Sequence, residues 1–316
     1  MCTYNGERFI EEQVTSIFSQ SLAPTEIIVC DDGSSDGTVA ALERLAALAP
    51  PGISLRIAAT NRVGGVTPNF ERAVRACTGD VIVLCDQDDV WHEDRLRAIA
   101  PFFDGGMAPV LVFADSVLID DRGAEVGASL HRNLHMRREE RRDIDRGHAF
   151  DALIRRNLIT GAATAFSRPL VELAGPFPSS WVHDEWLGLI AAAVGRVVRI
   201  PNRLIDYRLH GNNQIGVSDP STTSRVGRML SPRGERYSLL GVRAHALVRR
   251  LEEIDADPRL IGLAQRKAAF EDIRAGYPES RLRRIRLVLR EAMRGEYATL
   301  SSQRLFDVVR DLLQPA

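Results

Sequence analysis

Four short segments carry residue types that can do chemistry. Asp86-Gln87-Asp88-Asp89 follows the most apolar run of the chain, Asp80 to Cys85. Carboxylates at the end of a buried strand gain most by holding a divalent cation, and Mg²⁺ or Mn²⁺ is commonly shared between one or two such carboxylates and substrate phosphates. An aspartate there could equally cap the next helix. The second segment, Asp31-Asp32-Gly33-Ser34-Ser35-Asp36-Gly37-Thr38, also lies between a β-branched run and a helical pattern, with Ser35 or Asp36 as candidate caps. Two acidic clusters at one edge of a sheet repel each other unless a ligand or cation offsets them. In the third, His183-Asp184-Glu185-Trp186, Asp184 precedes a helix and could accept the proton of a hydroxyl, as a general base does. Acidic residues at a helix N-terminus also stabilise it by about 0.3 to 1 kcal/mol without any catalytic duty. The two-histidine spacing of a zinc protease is absent. The fourth segment, Tyr207-Arg208-Leu209-His210-Gly211-Asn212-Asn213, offers an arginine fork and an imidazole to a diphosphate, or a structural histidine.

The elements that must position these residues alternate between strand and helix. Apolar residues at helical spacing mark a helix from Glu7 to Gln20, and Glu26 to Cys30 is a strand followed by an alanine- and leucine-rich helix to about Leu48. Ser54 to Ala59 is a strand, Asn61 to Gly65 a loop, Pro68 to Cys77 a helix and Asp80 to Cys85 a third strand. This order specifies an α/β fold with a mostly parallel sheet flanked by helices, whose strand ends carry the polar loops where ligands bind. Beyond Asp89 the expected strands are Pro109 to Ala114, Ile159 to Phe166, Arg196 to Ile200 and Leu204 to Leu209, with a charged stretch at 132–146 and a helix at Trp186 to Ala193. Periodicity lapses from Ser218 to Arg233, so the domains expected are 1–217, the catalytic α/β part, and 218–316, a helical C-terminal extension.

The chain has 316 residues, 45% of them hydrophobic and 26% charged, with a formal net charge of -1. That size supports a sizeable core, and the charge balance gives no global reason to expect a nucleic-acid partner. Cys2, Cys30, Cys77 and Cys85 lack the paired spacing of a zinc site and read as buried free thiols in a reducing compartment. No long apolar span or leader is evident, which points to the cytoplasm. Arginines beside an apolar stripe at 281–290 suit either a packed helix or contact with an anionic membrane surface, and the tail could equally serve a homodimer.

In order, these segments resemble the inverting family-two glycosyltransferases of the GT-A fold, and among them the bacterial rhamnosyltransferase-like members. The matching pieces are Cys2 to Glu7, Ile28 to Asp36, Asp86 to Trp91, Asn157 to Phe166, His183 to Trp186 and Tyr207 to Gln214, spanning about residues 1–215. The resemblance implies a nucleoside-diphosphate sugar donor, UDP- or dTDP-linked and in the second case carrying rhamnose, and a glycan or lipid-linked acceptor. It implies nucleotide contacts from Thr3, Tyr4, Asn5, Glu7, Asp31, Asp32 and Asp86, with Tyr4 against the base and Asp32 on its imide nitrogen. It further implies Mg²⁺ or Mn²⁺ on Asp88 with His210 beside the diphosphate, Asp184 as catalytic base, and diphosphate or acceptor contacts from Arg208, Trp186 and Gly161. The family's usual Glu-Asp pair is His183-Asp184 here, which leaves the role of the first member open.

Met1 to Tyr4 reads as the end of a strand whose apolar body should lie upstream, so the expectation is a natural start before Met1 or a cut chain. Two other readings compete. A sugar nucleotidyltransferase would place metal and nucleotide at the same sheet edge but lacks its glycine-rich loop and lysine here, and a non-catalytic nucleotide-sugar-binding or assembly subunit would keep the fold without turnover.

Overall fold

The computed structural model describes residues 1–104, 108–210 and 233–315. The chain divides into two compact units, Met1–Gly147 with Leu158–Val217, and His148–Asn157 with Ser218–Ala316.

The first unit begins with strand β1 (Cys2–Thr3), helix α1 (Ile10–Phe18), β2 (Glu26–Asp31), α2 (Thr38–Ala47), β3 (Ser54–Ala59) and α3 (Val66–Ala76). The three strands form a parallel sheet in the order β1-β2-β3. Helix α1 forms because Ile10, Val14 and Ile17 recur on one face, and that face is buried. Helix α2 buries Ala41, Leu42 and Leu45 by the same spacing. These side chains join Ile27 and Val29 of β2 in one hydrophobic cluster. Although short, β1 is held on both sides: the Met1 ammonium donates to the Ile28 carbonyl at 2.8 Å, and the Cys2 amide donates to the Cys85 carbonyl at 3.2 Å.

A second, five-stranded sheet follows. Its elements are β4 (Val81–Val83), β5 (Val90–Trp91), α4 (Arg95–Ile99), β6 (Val110–Ile119), α5 (Leu130–Asn133), α6 (Arg138–Asp145), β7 (Thr164–Ser167), α8 (Pro169–Ala174), α9 (His183–Val194) and β8 (Arg196–Arg208); α7 (Ala149–Leu153) belongs to the second unit. The strand order is β4-β7-β6-β8-β5, with β6 and β8 parallel and the other pairs antiparallel. Parallel pairing thus governs the first sheet, and the second is mixed.

Two expected strands, Arg196 to Ile200 and Leu204 to Leu209, are one continuous strand. Ile200 pairs with Ala114 and Arg203 with Asp115, so Pro201 and Asn202 are absorbed as an irregularity in the ladder rather than ending it. The expected strand at Ile159 to Phe166 is regular only from Thr164, because Gly161–Ala163 is a 3-10 turn. Its polar groups bond elsewhere: the Gly161 amide reaches Asp184, and the Ala162 carbonyl accepts from Arg95.

The second unit is helical: α7, α10 (Arg236–Glu253), α11 (Pro258–Ala275), α12 (Arg281–Met293), α13 (Glu296–Leu300) and α14 (Leu305–Leu313). Phe270, Tyr277, Val288, Tyr297, Leu300 and Val308 form its core. The buried Asp311 carboxylate accepts from Arg274 at 2.7 Å, Tyr237 at 2.6 Å and Tyr297 at 2.7 Å. No helix among the described residues is long and apolar enough to cross a membrane.

Candidate active site

The sequence clusters meet where β1, β2 and the chain after β4 end. At the end of β2, Asp31 is buried and structural: its carboxylate accepts from the amides of Gly33 (3.0 Å) and Ser34 (2.7 Å) and from the hydroxyls of Thr3 and Ser34 (both 2.6 Å). Asp32 turns the other way and accepts the backbone amides of Val63, Gly64 and Gly65. Burial alone would raise its pKa, but these three amide bonds outweigh it and hold the carboxyl below its ordinary value. Asp32 thus draws the Asn61 to Gly65 loop to the end of β2, and Arg72 reinforces the tie by donating to the Asn61 and Asp31 carbonyls, both at 2.8 Å.

The loop after β1 is laced to the loop after β2. Asn5, in the left-handed region, donates its amide to Ser34 Oγ at 2.8 Å and accepts the Ser35 amide at 2.9 Å. Glu7 accepts the Gly37 amide at 2.9 Å, and the Gly6 amide donates to Thr38 Oγ1 at 2.8 Å. From the loop after β4, Gln87 clamps Tyr4 through both backbone groups, accepting from its amide at 2.8 Å and donating to its carbonyl at 3.1 Å. A Cβ at position 6 would overlap Gln87 Oε1, so the clamp requires glycine there. These bonds leave the Tyr4 ring exposed at the mouth of the site.

Asp86, Asp88 and Asp184 form one electrostatic group. Burial, the Asp88 charge and the Asp184 charge, in that order, push the Asp86 carboxyl upward. Asp88 Oδ2 lies 2.9 Å from His210 Nε2, and the His210 ring stacks on Phe9 with centroids 5.3 Å apart. Asp89 points inward, accepts the Arg208 amide at 3.0 Å, and has its other oxygen buried without a hydrogen-bond partner. Among the described residues no group of three or more His, Cys, Asp or Glu side chains is arranged to hold a metal ion. Asp88 with His210 is the candidate pair, with Asp86 beside it. The carboxylates offer the hard oxygens that Mn²⁺ or Mg²⁺ takes when phosphate oxygens and water complete the shell, and the imidazole is the softer member of the set.

Asp184 stands in the first turn of α9, where the helix N-terminus favours a carboxylate. Its Oδ2 accepts the Gly161 amide at 2.8 Å and its Oδ1 accepts the Glu185 amide at 2.6 Å. His183 beside it is buried and stacked on Phe70, centroids 3.9 Å apart, and neither ring nitrogen has a hydrogen-bond partner. Burial lowers its pKa to about 3, so the ring is neutral.

The structure places two expected contact residues inside the protein. Trp186 is fully buried and donates from Nε1 to the Ala174 carbonyl at 2.7 Å, which makes it part of the core under α9. Arg208 is also buried: Nε donates to the Asp88 carbonyl and Nη2 to Glu12, both at 2.7 Å. It braces the acidic loop from behind. Gly211 to Gln214 lie outside the described residues. Gln87, Phe9 and Glu12 escaped the sequence reading because their partners lie far away along the chain; Glu12 and Arg208 are 196 positions apart.

Residues 1–160, half of the chain, match the family model Glycosyl transferase family 2. The chain belongs to this family. As a family 2 glycosyltransferase it has the GT-A fold, and its backbone superposes on the S. aureus TarS fragment in complex with UDP-GlcNAc (TM-score 0.52, 18% identity, 98% of this chain and 88% of that chain). It superposes similarly on the mannosyltransferase PcManGT of Pyrobaculum calidifontis in complex with GDP-Man and Mn²⁺ (TM-score 0.51, 20% identity, 98% and 84% covered). By sequence it is 37% identical over 100 residues to the dTDP-rhamnosyl transferase RfbG of Shigella flexneri, a match covering 31% of this chain and 34% of the relative. It is also 26% identical over 229 residues to an uncharacterized glycosyltransferase of Nostoc, covering 70% of this chain and 66% of that protein. These matches span between a third and two thirds of the relatives' own lengths.

Proposed function

We propose that this family 2 glycosyltransferase is an inverting, divalent-metal-dependent enzyme that moves a sugar from a UDP- or dTDP-sugar to a hydroxyl of a glycan or lipid-linked acceptor in cell-surface polysaccharide synthesis. The observation that supports this reading is that the Asp86 carboxyl feels the charges of both Asp88 and Asp184, the residues proposed here for the metal side and for the base. The RfbG match supports a dTDP-rhamnose donor. Free thiols at Cys2, Cys30, Cys77 and Cys85 support a cytoplasmic setting.

In this mechanism the exposed Tyr4 ring lies against the nucleobase, and Asp32, fixed by three amides, accepts from its imide N–H. Asp88 and His210 would hold Mn²⁺ or Mg²⁺, which supplies Lewis-acid stabilisation of the charge growing on the leaving diphosphate. Asp184, oriented by the Gly161 amide, takes the proton of the acceptor hydroxyl as its oxygen attacks the anomeric carbon from the face opposite the diphosphate. One displacement inverts configuration without a covalent intermediate. Arg208 and Gln87 keep the loops of the donor site in register.

Thermal unfolding with UDP, dTDP or GDP, each with and without Mn²⁺, tests the donor side, since a ligand that binds only the native state raises its stability by mass action. The reading requires a metal-dependent rise with UDP or dTDP that GDP does not match. A rise that is equal for all three nucleotides, or independent of metal, contradicts it.

A further inference from the structure

The helical unit turns an apolar, arginine-flanked face outward. On α12, Leu282, Ile285, Leu289 and Met293 recur at i, i+3, i+7 and i+11, a single stripe, and Leu282 and Met293 are 82% and 83% exposed. The opposite face of the same helix, Arg284, Val288 and Glu291, is buried in the unit. Helix α14 repeats the pattern: Asp307, Val308, Arg310 and Asp311 are buried, while Leu305, Val309 and Leu313, at i, i+4 and i+8, are exposed. Arg284 fastens the two helices together, donating to the carbonyls of Asp311 at 2.9 Å and Gln314 at 2.8 Å. Seven large apolar side chains on two joined helices thus face away from the core of the unit.

The exposed charge on α12 has one sign. Arg281, Arg283 and Arg286 are exposed beside its stripe, Arg290 and Arg294 are exposed but ion-pair with Glu291 at 2.8 and 3.4 Å, and the acids of both helices, Glu291, Asp307 and Asp311, are buried. A solvated helix normally interleaves both signs, and a surface meant for a second copy of itself would set arginine against arginine. We infer that the α12/α14 face docks on an anionic lipid surface, with the leucine and methionine side chains entering the headgroup boundary and the arginines meeting lipid phosphates. Neither helix is able to span the bilayer, so the attachment is peripheral. The inference stands apart from the donor chemistry, because docking needs neither nucleotide nor acceptor.

Flotation of the full chain with phosphatidylcholine vesicles, alone or mixed equally with phosphatidylglycerol, tests it. Binding to the anionic vesicles only, weakened by high salt, is the expected result. Replacing both Arg283→Gln and Arg286→Gln lowers the partition roughly twentyfold or more, since each surface arginine contributes about 1 kcal/mol, or about fivefold. The Leu282→Ser, Met293→Ser pair lowers it at least about tenfold by removing apolar burial. These side chains are exposed, and unchanged far-UV circular dichroism confirms that the variants fold. Equal binding to both vesicle types, binding to neither, or full binding by the apolar pair overturns the inference. So does a dimer in sedimentation equilibrium that the Leu282→Ser, Met293→Ser pair abolishes, which would assign the face to a second copy.

Discussion

The Gly161 amide donates to Asp184 Oδ2 at 2.8 Å, and the Gly161 Cα lies so close to His183 that a Cβ there would come within 2.8 Å of its Nε2. The proposed base is therefore aimed by a backbone group that tolerates no side chain. Gly161→Ala should push the His183 ring or the 161–163 turn aside and tilt Asp184. Misplacement of a catalytic group by about 1 Å costs on the order of 10²-fold in rate. Steady-state kinetics should show that loss in kcat, with donor affinity by calorimetry changed little.

Asp88 and His210 meet at 2.9 Å, far from each other in the chain. His210→Ala should raise the Mn²⁺ concentration needed for half-maximal nucleotide-dependent stabilisation by about 10 to 100-fold, the range typical of losing a group that ligates or orients a metal site. Asp88→Asn should raise it at least as much. A titration unchanged in both variants would remove these residues from the metal site.

Arg208 holds the Asp88 carbonyl with Nε and Glu12 with Nη2. Lysine offers one point charge where the guanidinium makes several directed bonds. Arg208→Lys should lower stability by about 1 to 3 kcal/mol, as expected when buried acceptors lose their donors, and weaken metal-dependent nucleotide binding together with it. Urea unfolding and calorimetry on the same preparation check both effects.

In the helical unit, burial alone would raise the pKa of Asp311, but Arg274 and the hydroxyls of Tyr237 and Tyr297 outweigh it and leave the carboxyl below its usual value. A depressed folded-state pKa contributes stability that is present above the unfolded value, about 3.9 for aspartate, and is lost as the pH falls through the folded value. Asp311→Asn should cost about 3 to 5 kcal/mol at pH 7, as when a buried ion pair loses one partner. It should also flatten the acid limb of the stability curve. Far-UV circular dichroism must be the probe, because Trp91, Trp181 and Trp186 all lie in the other unit.

How much of this the sequence disclosed follows from the range of each interaction. Helices α1 and α2 and strands β2 and β3 are visible because apolar spacing is local, and each matches its expected position within a few residues. The continuity of β8 is not visible, since Pro201 marks a break and only pairing with β6 carries the strand past it. In the site, the carboxylates at 86, 88 and 184 stand out as charges next to apolar runs. What sets them is hidden: Gln87 against Tyr4, Phe9 under His210 and Gly161 against Asp184 are contacts that the fold creates. Trp186 and Arg208 show the converse, since a residue beside a functional motif can equally be the support beneath it.

Asp184 is proposed as the base of a sugar transfer for which the rest of the site binds the donor. Asp184→Asn keeps the shape of the side chain and removes its ability to take a proton. The decisive measurement pairs calorimetric binding of the preferred nucleoside diphosphate with Mn²⁺ against nucleoside-diphosphate release from the matching sugar donor in the presence of extracted lipid-linked glycan. Binding should stay within about twofold while release falls by about 10² to 10⁴-fold, the range a general base contributes. Release at the wild-type rate from the asparagine variant would contradict it.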